Sequence, residues 1–294
     1  MKRQFTLFIE FNSPIHWYSK MTHPSQHIAF IGGGNMASAI IGGLIRQGMA
    51  PDQFTVIEPF AETAAKLNHD FGIRALPAAG SALAQADLVV WAVKPQIFSE
   101  AAEPVMPHTT SALHLSVAAG IRTDSICSWV GSPRVVRCMP NTPALVGQGI
   151  TGLFPCPAVS YTDKTLIEQV IGTTGQFLWV DKESQLDAVT ALSGSGPAYV
   201  FYFLEAMTEA GTAMGLSAQQ AYQLAVATFS GSASLAAAST ESPEVLRQRV
   251  TSKGGTTYAA ITAMEASGIK EAFIKAMHAA EVRARELGDE FGKA

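Results

Sequence analysis

The stretch Ile28-Ala29-Phe30-Ile31-Gly32-Gly33-Gly34-Asn35-Met36-Ala37 runs a short apolar strand into the pattern G-x-G-x-x-A and on into a helix over roughly Met36–Gln47. Each small residue has a physical task in that pattern. Gly32 permits the tight turn, Gly34 lets the backbone approach a pyrophosphate, and Ala37 lets helix and strand pack closely. Phosphates would meet the free N–H groups at the helix start, so Ile31, Gly32, Gly33, Gly34, Asn35, Met36 and Ala37 are candidate nucleotide contacts. A second strand, Phe54–Ile57, ends at Glu58, 21 residues beyond Ala37. A carboxylate there can accept hydrogen bonds from an adenosine ribose, whereas a 2′-phosphate prefers basic or hydroxyl donors, so Glu58 favours NADH over NADPH. The nearest downstream cations, Lys66 and Arg74, are the residues that could reverse that preference.

Outward from this unit the chain alternates short apolar runs with helical patterns, as βαβ units on a parallel sheet do. The expected strands continue with Leu88–Ala92, Ala112–Ser116 and Val135–Met139, followed by a return strand near Gly149–Phe154 and another at Gln176–Val180; a second helix spans Ala61–Asp70. Two further strand ends fall on the carboxyl edge, where open α/β sheets bind ligands. Ala92-Val93-Lys94-Pro95 and Val117-Ala118-Ala119-Gly120 offer small residues and a proline to a flat nicotinamide. Lys94 reads equally as a phosphate or substrate cation and as a solvated strand-end lysine.

Beyond Glu183 the alternation stops and the chain becomes helical, rich in Ala, Leu and Met. Val200, Phe203, Met207, Ala210 and Met214 repeat along one helix face. That helix should begin at Ser193-Gly194-Ser195-Gly196-Pro197, with Ser as cap and Pro in the first turn, and stop at Gly215. The division is therefore an extension over residues 1–26, a dinucleotide-binding domain over 27–183 and a helical domain over 184–294. The fold class is α/β, with an N-terminal Rossmann-like domain followed by an all-helical dimerisation domain. In the extension, Lys2 and Arg3 supply the basic start of a signal peptide, but Pro14 and Pro24 interrupt the apolar run it would need.

The 294 residues include 20 Lys or Arg and 24 Asp or Glu, a formal charge of −4. Only 15% are charged and 48% are hydrophobic, against roughly 25% charged in an average soluble domain. The mild acidity argues against nucleic acid or an anionic membrane surface as partner. No segment approaches the roughly 18 uninterrupted apolar residues of a membrane span, so the apolar excess points to burial within the protein or against copies of itself. Cys127, Cys138 and Cys156 lack metal-ligand spacing, and their odd number fits a reducing cytoplasm better than a disulfide framework. No metal site is expected.

A second constellation is Val250-Thr251-Ser252-Lys253-Gly254-Gly255-Thr256-Thr257. Two glycines and two threonines leading into a helix present N–H groups and hydroxyls in a concave turn suited to a carboxylate; a plain glycine-rich helix start is the alternative.

Together with Phe30–Ala37, Ala92–Pro95, Ala118–Gly120, Arg137–Pro143 (R-C-M-P-N-T-P) and Leu192–Tyr199 (L-S-G-S-G-P-A-Y), this run resembles pyrroline-5-carboxylate reductase over nearly everything from Ile28 onward. The resemblance implies hydride delivery from NADPH or NADH to C5 of the cyclic imine 1-pyrroline-5-carboxylate, yielding L-proline. It places the nucleotide over Gly32–Ala37 and Glu58 and the nicotinamide near Ala92–Pro95 and Val117–Ala119. The substrate carboxylate would lie on Ser252, Gly255, Thr256 and Thr257, with Thr257 Oγ bonding the ring nitrogen or carboxylate. Glu183 aligns with an acidic position near the substrate nitrogen, or is a domain-junction surface glutamate. The chain departs from the family pattern at Lys253, where proline is common, and at Glu58, where some members carry a hydroxyl. The resemblance also implies a homodimer, further assembled as a decamer of five dimers. A β-hydroxyacid or 6-phosphogluconate-type dehydrogenase would need an early lysine base, and no Lys lies between Lys182 and Lys253. A non-catalytic nucleotide-sensing dimer would not need the Gly254–Thr257 turn.

Overall fold

The computed structural model describes residues 26–292, so the expected extension falls almost wholly outside the described residues. At the centre is a sheet of seven strands in the order β2-β1-β3-β4-β5-β6-β7. The strands are β1 Ile28–Ile31, β2 Phe54–Ile57, β3 Leu88–Trp91, β4 Leu113–Ser116, β5 Val135–Met139, β6 Gly149–Pro155 and β7 Gly175–Trp179. Every neighbouring pair is parallel except β5 with β6. The short turn between those two leaves no room for the crossover a parallel pairing requires. It is held by a 3-10 turn over Thr142–Val146 and by Ile150 N–H donating to Asn141 Oδ1 at 3.0 Å.

Residues of β1 and β3 are buried on both faces, as their continuous apolar runs require, and β4, although it carries His114 and Ser116, is buried likewise. Covering helices are α1 Asn35–Arg46, α2 Ala61–Phe71, α3 Phe98–Ala102, α4 Thr123–Val130 and α5 Tyr161–Gly172. α1 packs beside α2 and α5, and α3 beside α4. Because β1 lies between β2 and β3, the winding direction reverses there, which puts the crevice of a doubly wound sheet at the carboxyl ends of β1 and β3.

The helical part comprises α6 Gln185–Val189, a π turn over Thr190–Gly194, α7 Gly196–Ala213, α8 Ala218–Ala238, α9 Pro243–Arg249, α10 Thr256–Ala266 and α11 Ile269–Phe291. α7 and α8 form a close hairpin: a Cβ on Gly211 would stand 2.8 Å from that of Ala221. Gly215, at φ +101°, ends the first helix as its position suggests. Ser195 differs from expectation. It is helical itself and its side chain caps nothing, because the π turn runs directly into α7 and Ser195 N–H already bonds the Thr190 carbonyl. Within the protomer the apolar stripe stays largely open; Val200, Met207 and Met214 are exposed, as are Phe201 and Tyr202. α11 returns to the sheet: Phe291 packs on its hydrophobic core, and Arg122 donates to Asp289 at 2.6 Å.

Candidate active site

The β1–α1 turn is shaped for a phosphate chain. Gly32 has φ +92°, and a Cβ there would lie 2.6 Å from the Ala92 carbonyl oxygen, so glycine is obligatory. A Cβ on Gly34 would meet nothing within 4 Å, which leaves open space where a ligand would lie. Gly34 is the helix cap without a side-chain bond, and the first intrahelical donor is Ser38 N–H to the Gly34 carbonyl at 2.9 Å. The N–H groups of Asn35, Met36 and Ala37 therefore face out of the helix start, where an anionic group could receive them. Ile31 and Ala37 are buried, Asn35 is exposed, and Met36 rests on the core.

Glu58 reaches into this turn from the end of β2. It is 7% exposed, and its two carboxylate oxygens accept Gly33 N–H and Phe60 N–H, both at 2.8 Å. Lys66 is paired with Asp70 one helical turn away, and Arg74 lines a shallow hollow with Ala50, Pro51 and Asp52. Neither cation pairs with Glu58. At the carboxyl end of β3, Ala92 has its N–H bonded to Ile31, Val93 touches the Gly32 position, and exposed Lys94 precedes a 3-10 turn begun by Pro95. Next to it Val117 and Ala119 are half-buried, while Ala118 is buried and donates to Ser116 Oγ at 3.3 Å.

The second glycine turn lies on the helical domain. Gly254 takes φ +77°, Gly255 is the helix cap, and a Cβ on Gly255 would strike Ser252 Oγ at 2.7 Å. Ala259 N–H makes the first bond to the Gly255 carbonyl, so the N–H groups of Thr256, Thr257 and Tyr258 point outward. Ser252, Lys253, Thr256 and Thr257 are exposed in the single protomer, and α10 packs principally on α11.

At the domain junction Thr123 donates from N–H and Oγ1 to Glu183 Oε1 and Oε2 at 2.7 and 2.8 Å, and Arg137 Nη1 donates to Oε1 at 2.9 Å. Glu183 is thus no ordinary surface glutamate; it meets the first turn of α4 and balances a guanidinium that is 6% exposed. Asp187 stands 3.9 Å from the same Arg137. Burial pushes its carboxyl above the ordinary range against the pull of that arginine. No motif along the chain assigns Arg137, Thr123 or Asp187 a role. The available signal was a charged residue amid the apolar run Val135–Met139, where a buried cation demands a carboxylate partner.

A glycine turn at a reversal point, an acidic residue inside it and a following helical domain define a dinucleotide-dependent oxidoreductase. Residues 183–287 match the family model described as pyrroline-5-carboxylate reductase dimerisation, and residues 27–120 match NADP oxidoreductase coenzyme F420-dependent. The chain belongs to the pyrroline-5-carboxylate reductase family. The pyrroline-5-carboxylate reductase of Pseudomonas aeruginosa is 44% identical over 92% of this chain and 99% of its own. That of Haemophilus influenzae is 41% identical over 89% and 98%. Among solved structures, a pyrroline-5-carboxylate reductase from Coxiella burnetii is 39% identical with a TM-score of 0.83, covering 90% of this chain and 98% of that one. The Plasmodium falciparum pyrroline carboxylate reductase with NADP bound is 28% identical, with a TM-score of 0.80 and the same coverage. The helical part is this family's dimerisation domain, and the protein is a homodimer. No helix among the described residues is long and apolar enough to cross a membrane.

Proposed function

We propose that this protein reduces 1-pyrroline-5-carboxylate to L-proline. The reading is carried by one arrangement: two open, glycine-led helix starts in a single chain, one on the nucleotide sheet at Gly32–Ala37 and one on the dimerisation domain at Gly255–Thr257. When bound, NADH or NADPH supplies the hydride for the imine carbon. Gly32–Ala37 hold the pyrophosphate by N–H donation, and Ala92–Pro95 with Val117–Ala119 form the floor for the nicotinamide. The N–H groups following Gly255, with Ser252 and Thr256, receive the substrate carboxylate, and Thr257 Oγ bonds the ring nitrogen or carboxylate. Protonation makes the imine carbon electrophilic, so the chain needs to orient and to shield, and needs no nucleophile. For Glu183, its bonds to Thr123 and Arg137 support a positioning part at the junction.

Residues 27–183 serve as the dinucleotide unit and 184–294 as the dimerisation and substrate unit. Engagement of Glu58 within the turn, with Lys66 held by Asp70, supports NADH over NADPH. The dimers assemble as a decamer of five in the cytoplasm. The deciding experiment follows absorbance of the reduced nicotinamide: purified dimer should consume it only when pyrroline-5-carboxylate is present, and a folded dimer that leaves it unchanged overturns the reading. Thr257→Ala should raise the substrate KM and lower kcat with nucleotide affinity nearly unchanged; wild-type kinetics would remove Thr257 from the site.

A further inference from the structure

Cys127, in the second turn of α4, and Cys156, in the turn after β6, come from elements 29 residues apart, yet their Sγ atoms lie 3.6 Å from one another. Cys127 is half-buried and Cys156 is 7% exposed. Cys138, inside β5, makes no such approach among the described residues. We propose that Cys127 and Cys156 are a redox pair that closes to a disulfide under sustained oxidation and reopens with a thiol reductant, tying α4 to the connection between β6 and α5.

Closing requires an S–S distance of about 2.05 Å, so the sulfurs must approach by roughly 1.5 Å. The more accessible Cys127 reacts first. A peroxide takes two electrons from its sulfur: the O–O bond breaks, Cys127 becomes a sulfenic acid, and water or an alcohol departs. Cys156 sulfur then attacks the sulfenic sulfur, the S–O bond breaks, and water leaves with the Cys156 proton. Two thiols and one peroxide thus give one disulfide. Burial, with the neighbouring thiol adding to it, pushes Cys127 up to about 12, and burial also raises Cys156. The thiolate is scarce at neutral pH, so closure is slow and answers lasting oxidative conditions, while a reducing compartment keeps the pair open.

Its position gives the bond a mechanical meaning. Thr123 begins the helix that Glu183 holds, so the bridge would fasten the sheet side of the domain junction. The test treats the full-length dimer with hydrogen peroxide at pH 8, then maps thiols by alkylation and non-reducing peptide mass spectrometry. The expected result is a cross-linked Cys127–Cys156 peptide pair lacking two hydrogens, Cys138 still a thiol, and a Tm raised by about 5 °C that dithiothreitol reverses. Cys127→Ser and Cys156→Ser should each abolish the cross-link. Comparing oxidised with re-reduced wild-type protein keeps the Tm readout independent of either variant's packing. The inference is overturned if both thiols still alkylate after Cys138-sparing oxidation, or if Cys127 advances to sulfinic acid while Cys156 stays free.

Discussion

Glu58 holds the glycine turn, and on the proposed reading it also meets the adenosine ribose, so its substitution has two separable effects. Glu58→Ser removes the acceptor for Gly33 N–H and, on the proposed reading, the negative charge beside the 2′ position. The expected outcome is a fall of about tenfold in kcat/KM for NADH, with the NADPH:NADH ratio moving toward NADPH. Parallel assays with both cofactors check it, and an unchanged ratio would take Glu58 away from the ribose. His114 shows another single-residue effect. It is fully buried in β4, its Nδ1 accepts the Trp91 indole N–H at 3.1 Å, and burial pushes its pKa down to about 4. The unfolded chain, at about 6.5, binds the proton first, so stability is lost as pH falls from about 6.5 toward 4. The loss from this group is about 2 kcal/mol at pH 5 and about 3 kcal/mol at pH 4 and below. Urea unfolding at pH 7.5 and pH 5 measures it, and His114→Phe should flatten the difference.

At the scale of elements, the strand-to-helix turn tolerates no side chain at its first glycine. Gly32→Ala combines an unfavourable positive φ with a contact of 2.6 Å to a backbone oxygen, which has little freedom to move. Nucleotide affinity should fall at least about tenfold and stability by about 2 kcal/mol; titration of nicotinamide fluorescence and thermal melts report the two. This turn was legible in the sequence because its chemistry is local: strand, glycines and helix are contiguous, and strand limits follow from apolar runs to within a residue or so. The junction was not legible. Arg137, Thr123, Glu183 and Asp187 are brought together by the order of β5, α4 and α6 around the sheet, and no spacing along the chain encodes that meeting. The Cys127–Cys156 approach escaped for the same reason. Ser195 misled differently: a serine before glycine and proline has the composition of a cap, while the preceding π turn had already satisfied the backbone.

For the whole molecule, the weak charge and apolar excess find their place on α7 and α8, where Phe201, Tyr202 and Leu224 are exposed in a single protomer. Such a surface is stable only when covered by the twin. Specific activity should therefore fall on dilution in step with the dimer fraction, measured by mass photometry alongside the assay; activity that persists in isolated protomers would show that each is self-sufficient. Removing residues 286–294 deletes the Asp289 partner of Arg122 and the packing of Phe291, and should cost about 2 kcal/mol in an unfolding titration.

That same return of α11 has a consequence for biosynthesis. A Rossmann sheet begun at Ile28 is finished beside Gly120 by Leu287 and Phe291, which are translated long after it. The nucleotide unit, although translated earlier, cannot close its own surface until α11 has been made, so a chain stalled before α11 carries an open hydrophobic edge for quality-control factors to find.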